Sequence, residues 1–402
     1  MSIQDLTTAD GTALLAALPP YSEKTVFQVT SEFRKHGYAP DLISAALTQK
    51  RLRAKAAAKF PPKIASEMFF THDGIEQATR HYIALQHAKY LKKHGAQSVI
   101  DFGCGIGADS LAFAKTGLTV SAIEMLADTA VAAAHNLKHF HHAQVIAADG
   151  NHLNLHELGA DAIWIDPARR KNGKRIMNPE QWAPSLSHAV SLARQFKMAG
   201  IKSAPGIPYE NLPADAYVTW ISTAGDLCEA VIWLGEAAPQ PGRAAWLVCE
   251  NNDGSPVVTE LSQYHLDPQT PPVFLEPAEL GPYLYEPNSA IIRAGLVHCV
   301  ADEFGLAPIS AKIAYVSGVA KVNSPLLTRF AVHEVLPLNV KKVRKRLAEL
   351  EIGIVEIKKR GTDISPEAFR KALSLNSKHK NSAVLIAAPV MGAHRLILAE
   401  RC

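Results

Sequence analysis

The chain has 402 residues, of which 48% are apolar and 20% charged, with a formal net charge of +4. That length exceeds what a single core usually sustains, so two or three domains are expected. No run approaches the roughly 20 apolar residues that a membrane span needs. The amino terminus has no basic start followed by an apolar stretch and a small-residue cleavage site, so the expected location is the cytoplasm. Cys104, Cys228, Cys249, Cys299 and Cys402 form no C-x-x-C pair, which argues against a disulfide framework and against a zinc knuckle.

Residues 1–95 read as helices, with apolar residues at helical spacing in Asp41 to Leu47 and in Tyr82 to Leu91. From Ser98 the texture becomes short apolar runs alternating with amphipathic segments. Strands are expected at Ser98 to Phe102, Leu118 to Ile123, Ala143 to Ala148, Ala160 to Ile165 and Gly200 to Ser203. Helices are expected between them, at Asp109 to Lys115, Ala127 to His139 and Pro184 to Met198. Alternation of this kind predicts an α/β fold, a Rossmann-like doubly wound sheet of parallel strands. Leu227 to Leu234 and Ala244 to Cys249 are candidates to complete that sheet, which is expected to end near Asp253 to Pro256. The proline-rich stretch that follows, to about residue 325, carries no clear pattern. The remainder alternates strands with two helices, Val340 to Leu350 and Pro366 to Leu375, and reads as a small α+β domain. Residues 331–402 hold fourteen Lys or Arg against seven Asp or Glu, so the tail is the basic part of the chain. The expected division is 1–70 (helical), 71–253 (α/β core), 254–325 (connecting) and 326–402 (basic α+β domain).

The first strand runs directly into Asp101-Phe-Gly-Cys-Gly-Ile-Gly107 and then a helix. Glycines there let the backbone approach a bound nucleotide-like group. Alone the loop divides evenly between NAD and S-adenosylmethionine, because Gly103, Gly105 and Ala108 also satisfy G-x-G-x-x-A, with Glu124 placed for a ribose. Asp101 tips the balance: its charge opposes a pyrophosphate and suits an ammonium and a sulfonium. Glu124 closes the second strand, where a carboxylate accepts from ribose hydroxyls, and Asp149, followed by Gly150, closes the third, where it accepts from an adenine amine. Ligands of open α/β sheets sit at that carboxyl edge. Asp101, Gly103, Gly105, Gly107, Glu124, Asp149 and Gly150 are therefore the expected cofactor residues.

The fourth strand ends in Asp166-Pro-Ala-Arg-Arg170. This resembles the D-P-P-Y motif of class I methyltransferases that act on exocyclic amines. The resemblance implies that Asp166 and the carbonyl that follows it grip an amine while Pro167, Ala168 and Arg169 shape the acceptor pocket. Arg169 replaces the aromatic residue that stacks on the base, and its guanidinium plane can stack or bind a phosphate instead. The order of motifs as a whole resembles bacterial class I methyltransferases with a THUMP-like domain at the carboxyl terminus. Thr71 to Arg80, the glycine loop, Asp166 to Arg170, Ala204 to Pro208 and Tyr285 to Arg293 carry that resemblance, over roughly residues 45 to 400. It implies an S-adenosylmethionine-dependent enzyme acting on RNA, with tRNA as one candidate, since THUMP domains elsewhere bind tRNA. Gln77 to Arg80 is, by analogy, a candidate cofactor cover set against a packing role.

Plainer readings apply to several other residues. Cys104 reads as a small buried residue of a tight turn, and no cysteine follows Pro or Thr, which disfavours methylation of pyrimidine carbon 5. His135, His139, His141 and His142 read as a solvated helix end, so no metal is expected. Arg170, Lys341, Lys342, Arg344 and Arg346 are the expected RNA contacts. The competing functions are methylation of a small molecule or protein, and RNA binding by a fold that has lost catalysis.

Overall fold

The protein is described by a computed structural model covering residues 3–171, 174–251 and 255–402. Asn172 and Gly173 of the basic segment, and the expected domain boundary at 253/254, lie outside the described residues. The chain folds as two compact units, one of Met1–Val218, Glu229–Pro241 and Val248–Val258, the other of Thr219–Cys228, Gly242–Leu247 and Thr259–Cys402. No helix among the described residues is long and apolar enough to cross a membrane.

The first unit opens with six helices: α1 (Ala9–Ala17), α2 (Val26–Lys35), α3 (Pro40–Ala56), α4 (Pro62–Glu67), α5 (His72–Gln77) and α6 (His81–Lys93). Strands and helices then alternate: β1 (Ser98–Phe102), α7 (Ala108–Lys115), β2 (Thr119–Glu124), α8 (Ala127–Leu137), β3 (Ala143–Ala147), β4 (Ala162–Ile165), α9 (Leu186–Ala193) and β5 (Met198–Ser203). Next in chain order come β6 (Tyr217–Thr223), β7 (Asp226–Gly235), β8 (Gly242–Glu250) and β9 (Pro256–Tyr264), parts of which belong to the second unit. The nine strands form one sheet of order β9-β8-β6-β7-β5-β4-β1-β2-β3. β1 to β5 are mutually parallel, and β7 enters antiparallel beside β5, with Met198 opposite Gly235 and Ser203 opposite Ala230. The sheet thus runs two strands further than its expected core: β6 carries no expectation in sequence, and β9 lies beyond the expected end. β6 is buried along its whole length and β9 only in part, and the pairing of both is decided by their neighbouring strands.

The helical region is pinned to the core by amide side chains. Gln49 on α3 donates to the Phe70 carbonyl (2.7 Å) and accepts from its N–H (3.0 Å). Asn136 on α8 accepts from the Phe69 N–H (2.7 Å) and donates to the carbonyls of Phe69 (3.0 Å) and Ile106 (2.8 Å). Strand-like backbone at Phe69 and Phe70, which belongs to no sheet, is satisfied in this way.

The second unit holds a seven-stranded sheet. Its strands are β10 (Tyr283–Pro287), β11 (Ala307–Pro308), β12 (Val316–Gly318), β13 (Leu327–Pro337), β14 (Ile352–Lys359), β15 (Asn381–Val390) and β16 (Ala393–Arg401), in the order β11-β12-β10-β13-β16-β15-β14. This unit also carries α10 (Ser289–Ala294), α11 (Val297–Phe304), α12 (Val340–Glu349) and α13 (Pro366–Leu373). Val343 and Leu347 of α12 and Phe369 and Leu373 of α13 pack with Leu385, Leu396 and Leu398 of the sheet, while Phe330, Ile386 and Ile397 belong to a separate cluster with Tyr315. Alternation along each strand produces these two faces.

Replacing Asn136 with Ala strands buried backbone groups of Phe69 and Ile106. Urea unfolding of Asn136→Ala is expected to show a stability loss of about 2 to 4 kcal/mol.

Candidate active site

Parallel register decides which residues meet. Phe102 pairs with both Ile123 and Ile165, and Ile165 pairs with Ile201, so β1, β2, β4 and β5 are in level register here. The residues one step on, Gly103, Asp166 and Lys202, therefore lie side by side at the carboxyl edge. Gly103 has a positive φ of 81°, and a Cβ there would come within 3.3 Å of the Asp166 carbonyl oxygen. A side chain at this point would strain the turn and crowd the tip of β4. The Gly103 and Cys104 N–H groups both donate to the Ile123 carbonyl (3.0 and 2.9 Å), which ties the turn to β2. Gly107, also at positive φ (79°), is the N-cap of α7.

Glu124 stands at the end of β2 and is buried. Its Oε2 accepts from the Gly105 N–H (3.0 Å) and its Oε1 from the Leu126 N–H (2.8 Å), so it shapes the glycine turn; each oxygen retains a lone pair for a further donor. Met125 and Leu126 beyond it are 67% and 61% exposed, apolar surface at the cofactor edge that the sequence reading did not single out. Asp149 accepts from the backbone and side-chain amides of Asn151 (3.0 and 2.9 Å). Gly150 is confined by packing, since a Cβ would lie 2.4 Å from the Phe102 ring.

Asp101 departs from its sequence picture. It is 1% exposed and accepts from the Ser110 hydroxyl at 2.5 Å. Burial first, then the charge of Asp109, raises its pKa to about 8. A carboxyl raised to that level favours the neutral acid at neutral pH. Cys104 is buried, and burial followed by the charges of Asp101 and Glu124 pushes its thiol well above the ordinary range, as suits a packing residue. His135 stacks on Phe69 with ring centroids 3.6 Å apart, and its Nε2 lies 3.1 Å from the Glu67 carbonyl oxygen.

Asp166 opens an arm with its own anchorage. Ala168 and Ala183 exchange two backbone hydrogen bonds (2.8 and 3.1 Å), Ile176 N–H donates to the Arg169 carbonyl (2.8 Å), and the buried Trp182 indole donates to the Ile176 carbonyl (3.1 Å). Arg170, Lys174 and Arg175 on this arm are exposed, while Arg169 is half-buried. In the second unit Lys341 and Lys342 of α12 are exposed. Arg344 instead donates to the Ala372 carbonyl (2.6 Å), and Arg346 pairs with Glu334 (2.7 Å) and Glu349 (3.0 Å).

Beneath Asp166 lies a chain of buried ionisable groups absent from the sequence reading. Lys202 Nζ is 2.5 Å from Asp166 Oδ2 and 3.8 Å from Asp109 Oδ2. It also donates to the Thr79 hydroxyl (2.8 Å), which in turn donates to Asp109 Oδ2 (2.6 Å). His87 on α6 places Nδ1 3.0 Å from Asp109 Oδ1 and Nε2 2.8 Å from Glu229 Oε1. The Nε2 contact has ion-pair distance without the alignment of a hydrogen bond. Thr79 faces inward here, the packing role weighed for Gln77 to Arg80. The visible signal in sequence was a lone lysine in the apolar run Met198-Ala-Gly-Ile-Lys-Ser203, and a lone glutamate in Leu227 to Leu234.

Burial favours the neutral His87 ring, yet the Glu229 charge and the Asp109 bond raise its pKa to about 9. The folded value lies above the ordinary 6.5, so the ring's stabilising contribution is full below that pH and is lost as pH rises toward 9. Urea midpoints are expected to fall over that interval in the native protein. In His87→Gln the fall is expected to be smaller and to start from a less stable protein.

Residues 327–401 match the THUMP domain-like family, and residues 1–56 match a family of unknown function. An uncharacterised S-adenosylmethionine-dependent methyltransferase of Mycobacterium tuberculosis, found in strains CDC 1551 and H37Rv, is 28% identical over 352 residues, 86% of this chain and 92% of the relative. The crystal structure of a methyltransferase from Porphyromonas gingivalis W83 superposes with a TM-score of 0.74 at 18% identity, over 95% of this chain and 99% of that one. That likeness establishes the fold, in which β7 runs antiparallel beside β5. The chain is similar along most of its length to S-adenosylmethionine-dependent methyltransferases, has their Rossmann-like fold and carries a THUMP-like domain at its carboxyl end.

Proposed function

We propose that this methyltransferase modifies a base nitrogen of an RNA, with Asp166 receiving the acceptor amine. The observation that carries the reading is the position of Asp166: it adjoins the glycine turn, and the exposed cations of its own loop follow within a few residues. A carboxylate at that point accepts a hydrogen bond from an amine and keeps the nitrogen lone pair turned toward the donor. Arg170, Lys174 and Arg175 supply the charge that a phosphate backbone needs. The THUMP-like match at 327–401 and the exposed Lys341 and Lys342 favour RNA further.

The residues at the strand edge fit S-adenosylmethionine. Asp101 meets its cationic methionine end, Glu124 its ribose and Asp149 its adenine. Gly103, Gly105 and Gly107 leave the turn free of side chains, and Met125 and Leu126 offer apolar surface for the base. The cofactor, when bound, supplies an electrophilic methyl group. Pro167 and Ala168 hold the acceptor loop, whose closure depends on the Ala168–Ala183 bridge, and Arg169 stacks on or neutralises the acceptor.

Because the neutral Asp101 must ionise to meet a cation, calorimetry is expected to show proton release on S-adenosylmethionine binding near pH 7. The affinity is expected to rise between about pH 6.5 and 8.5, and Asp101→Asn to weaken binding and abolish the pH dependence.

Mass spectrometry of nucleosides from a deletion strain is expected to show one methylated nucleoside missing and restored by complementation. Every nucleoside remaining at its native level would overturn the RNA assignment. Salt-independent activity with no retention on tRNA would point to a small molecule or a protein as acceptor.

A further inference from the structure

We propose that Lys202 is the positioning residue for Asp166, and that Asp109, His87, Glu229 and Thr79 form a buried stack that holds its ammonium in place. The inference rests on Asp166 as the residue that receives the acceptor.

Register brings the pair together without any loop. Ile165 opposite Ile201 sets Asp166 beside Lys202 on neighbouring parallel strands, and the side chains close to 2.5 Å. Lys202 is 4% exposed at its side chain, whereas Asp166 retains 26%. The ammonium therefore acts from inside on a carboxylate whose outer part is open to an acceptor. Lys202 occupies one Asp166 oxygen, and the proposal assigns the other to the amine.

The ammonium itself has little freedom. Its donors are directed to Asp166, to the Thr79 hydroxyl and toward Asp109. Asp109 is set in turn by Thr79 on one oxygen and by His87 on the other. His87 Nδ1 is bonded to Asp109 and Nε2 lies at ion-pair distance from Glu229, so two carboxylates flank the ring and favour the imidazolium. Two cations thus alternate with three carboxylates from Glu229 to Asp166. Burial opposes the charge of Lys202, but Asp166, Asp109 and Glu229 hold its pKa above the ordinary lysine value.

A buried ionic chain is a poor way to stabilise a core, since apolar side chains of similar volume do as well or better. Ionisable groups gathered under a reactive edge are more characteristic of sites that need a side chain in one orientation. Displacement of a positioned group by about 1 Å is enough to slow a reaction about a hundredfold.

The test uses the full chain, tritiated S-adenosylmethionine and total RNA from a strain lacking the gene, with cofactor affinity followed by calorimetry. Lys202→Met is expected to lower kcat about a hundredfold while the KM for S-adenosylmethionine stays within about twofold, and Lys202→Arg to restore much of the loss. Thr79→Val, a near-isosteric change that should fold even if Lys202→Met does not, is expected to lower kcat about tenfold with the same unchanged KM. A folded Lys202→Met or Thr79→Val protein with native kcat would overturn the positioning role. Asp166→Asn separates the two ideas: native transfer by that variant refutes the reading of Asp166, whereas its loss beside native transfer in Lys202→Met refutes only the role of Lys202. Should the native enzyme leave that RNA unmethylated, crystals of the variants decide. A carboxylate of Asp166 that keeps its place without Lys202 or Thr79 overturns the proposal, and a displaced one supports it.

Discussion

The level register of β1, β2, β4 and β5 is the constraint on which the site depends. Because parallel strands pair in steady register, one alignment sets Gly103 against Asp166 and Asp166 against Lys202. The turn that follows β1 then works within narrow limits. Its amides are taken by β2 and by Glu124, and its first glycine passes so close to β4 that a side chain would disturb the tip. Cofactor edge and acceptor edge are thus parts of one row.

Charge at this edge is organised by depth. Asp149 is accessible, Glu124 is buried but bound to backbone amides, and Asp101 lies deepest and is held as an acid near neutral pH. A row of acids read from sequence suggests a uniformly negative surface. In the folded protein, burial and a neighbouring carboxylate make the deepest member conditional on its ligand. The ionisable groups of the stack from Glu229 to Lys202 are buried as well.

Basic residues divide in the same manner. Arg344 and Arg346 fall within a run that reads as a phosphate-binding face, yet they bond to Ala372, Glu334 and Glu349 of their own unit. Lys341 and Lys342, one turn earlier on α12, stay exposed because Val343 and Leu347 commit the opposite side of the helix to the core. Helical periodicity sorts buried from exposed positions, but it does not report which exposed cation has a carboxylate in reach.

The sequence by itself determined the alternation of strands and helices, the glycine turn, the acids at strand ends and the character of the carboxyl-terminal domain. Each of these is local: hydrophobic period, turn chemistry and residue type lie within a few positions of one another. It was silent on β6, on β9 and on the stack of Thr79, His87, Asp109, Lys202 and Glu229. Those residues are separated by up to 150 positions and meet only when α6, α7, β5 and β7 pack together. Tertiary structure alone also decided that the pKa of the Asp101 carboxyl is raised to about 8, because desolvation is a property of surroundings that no linear neighbour reports.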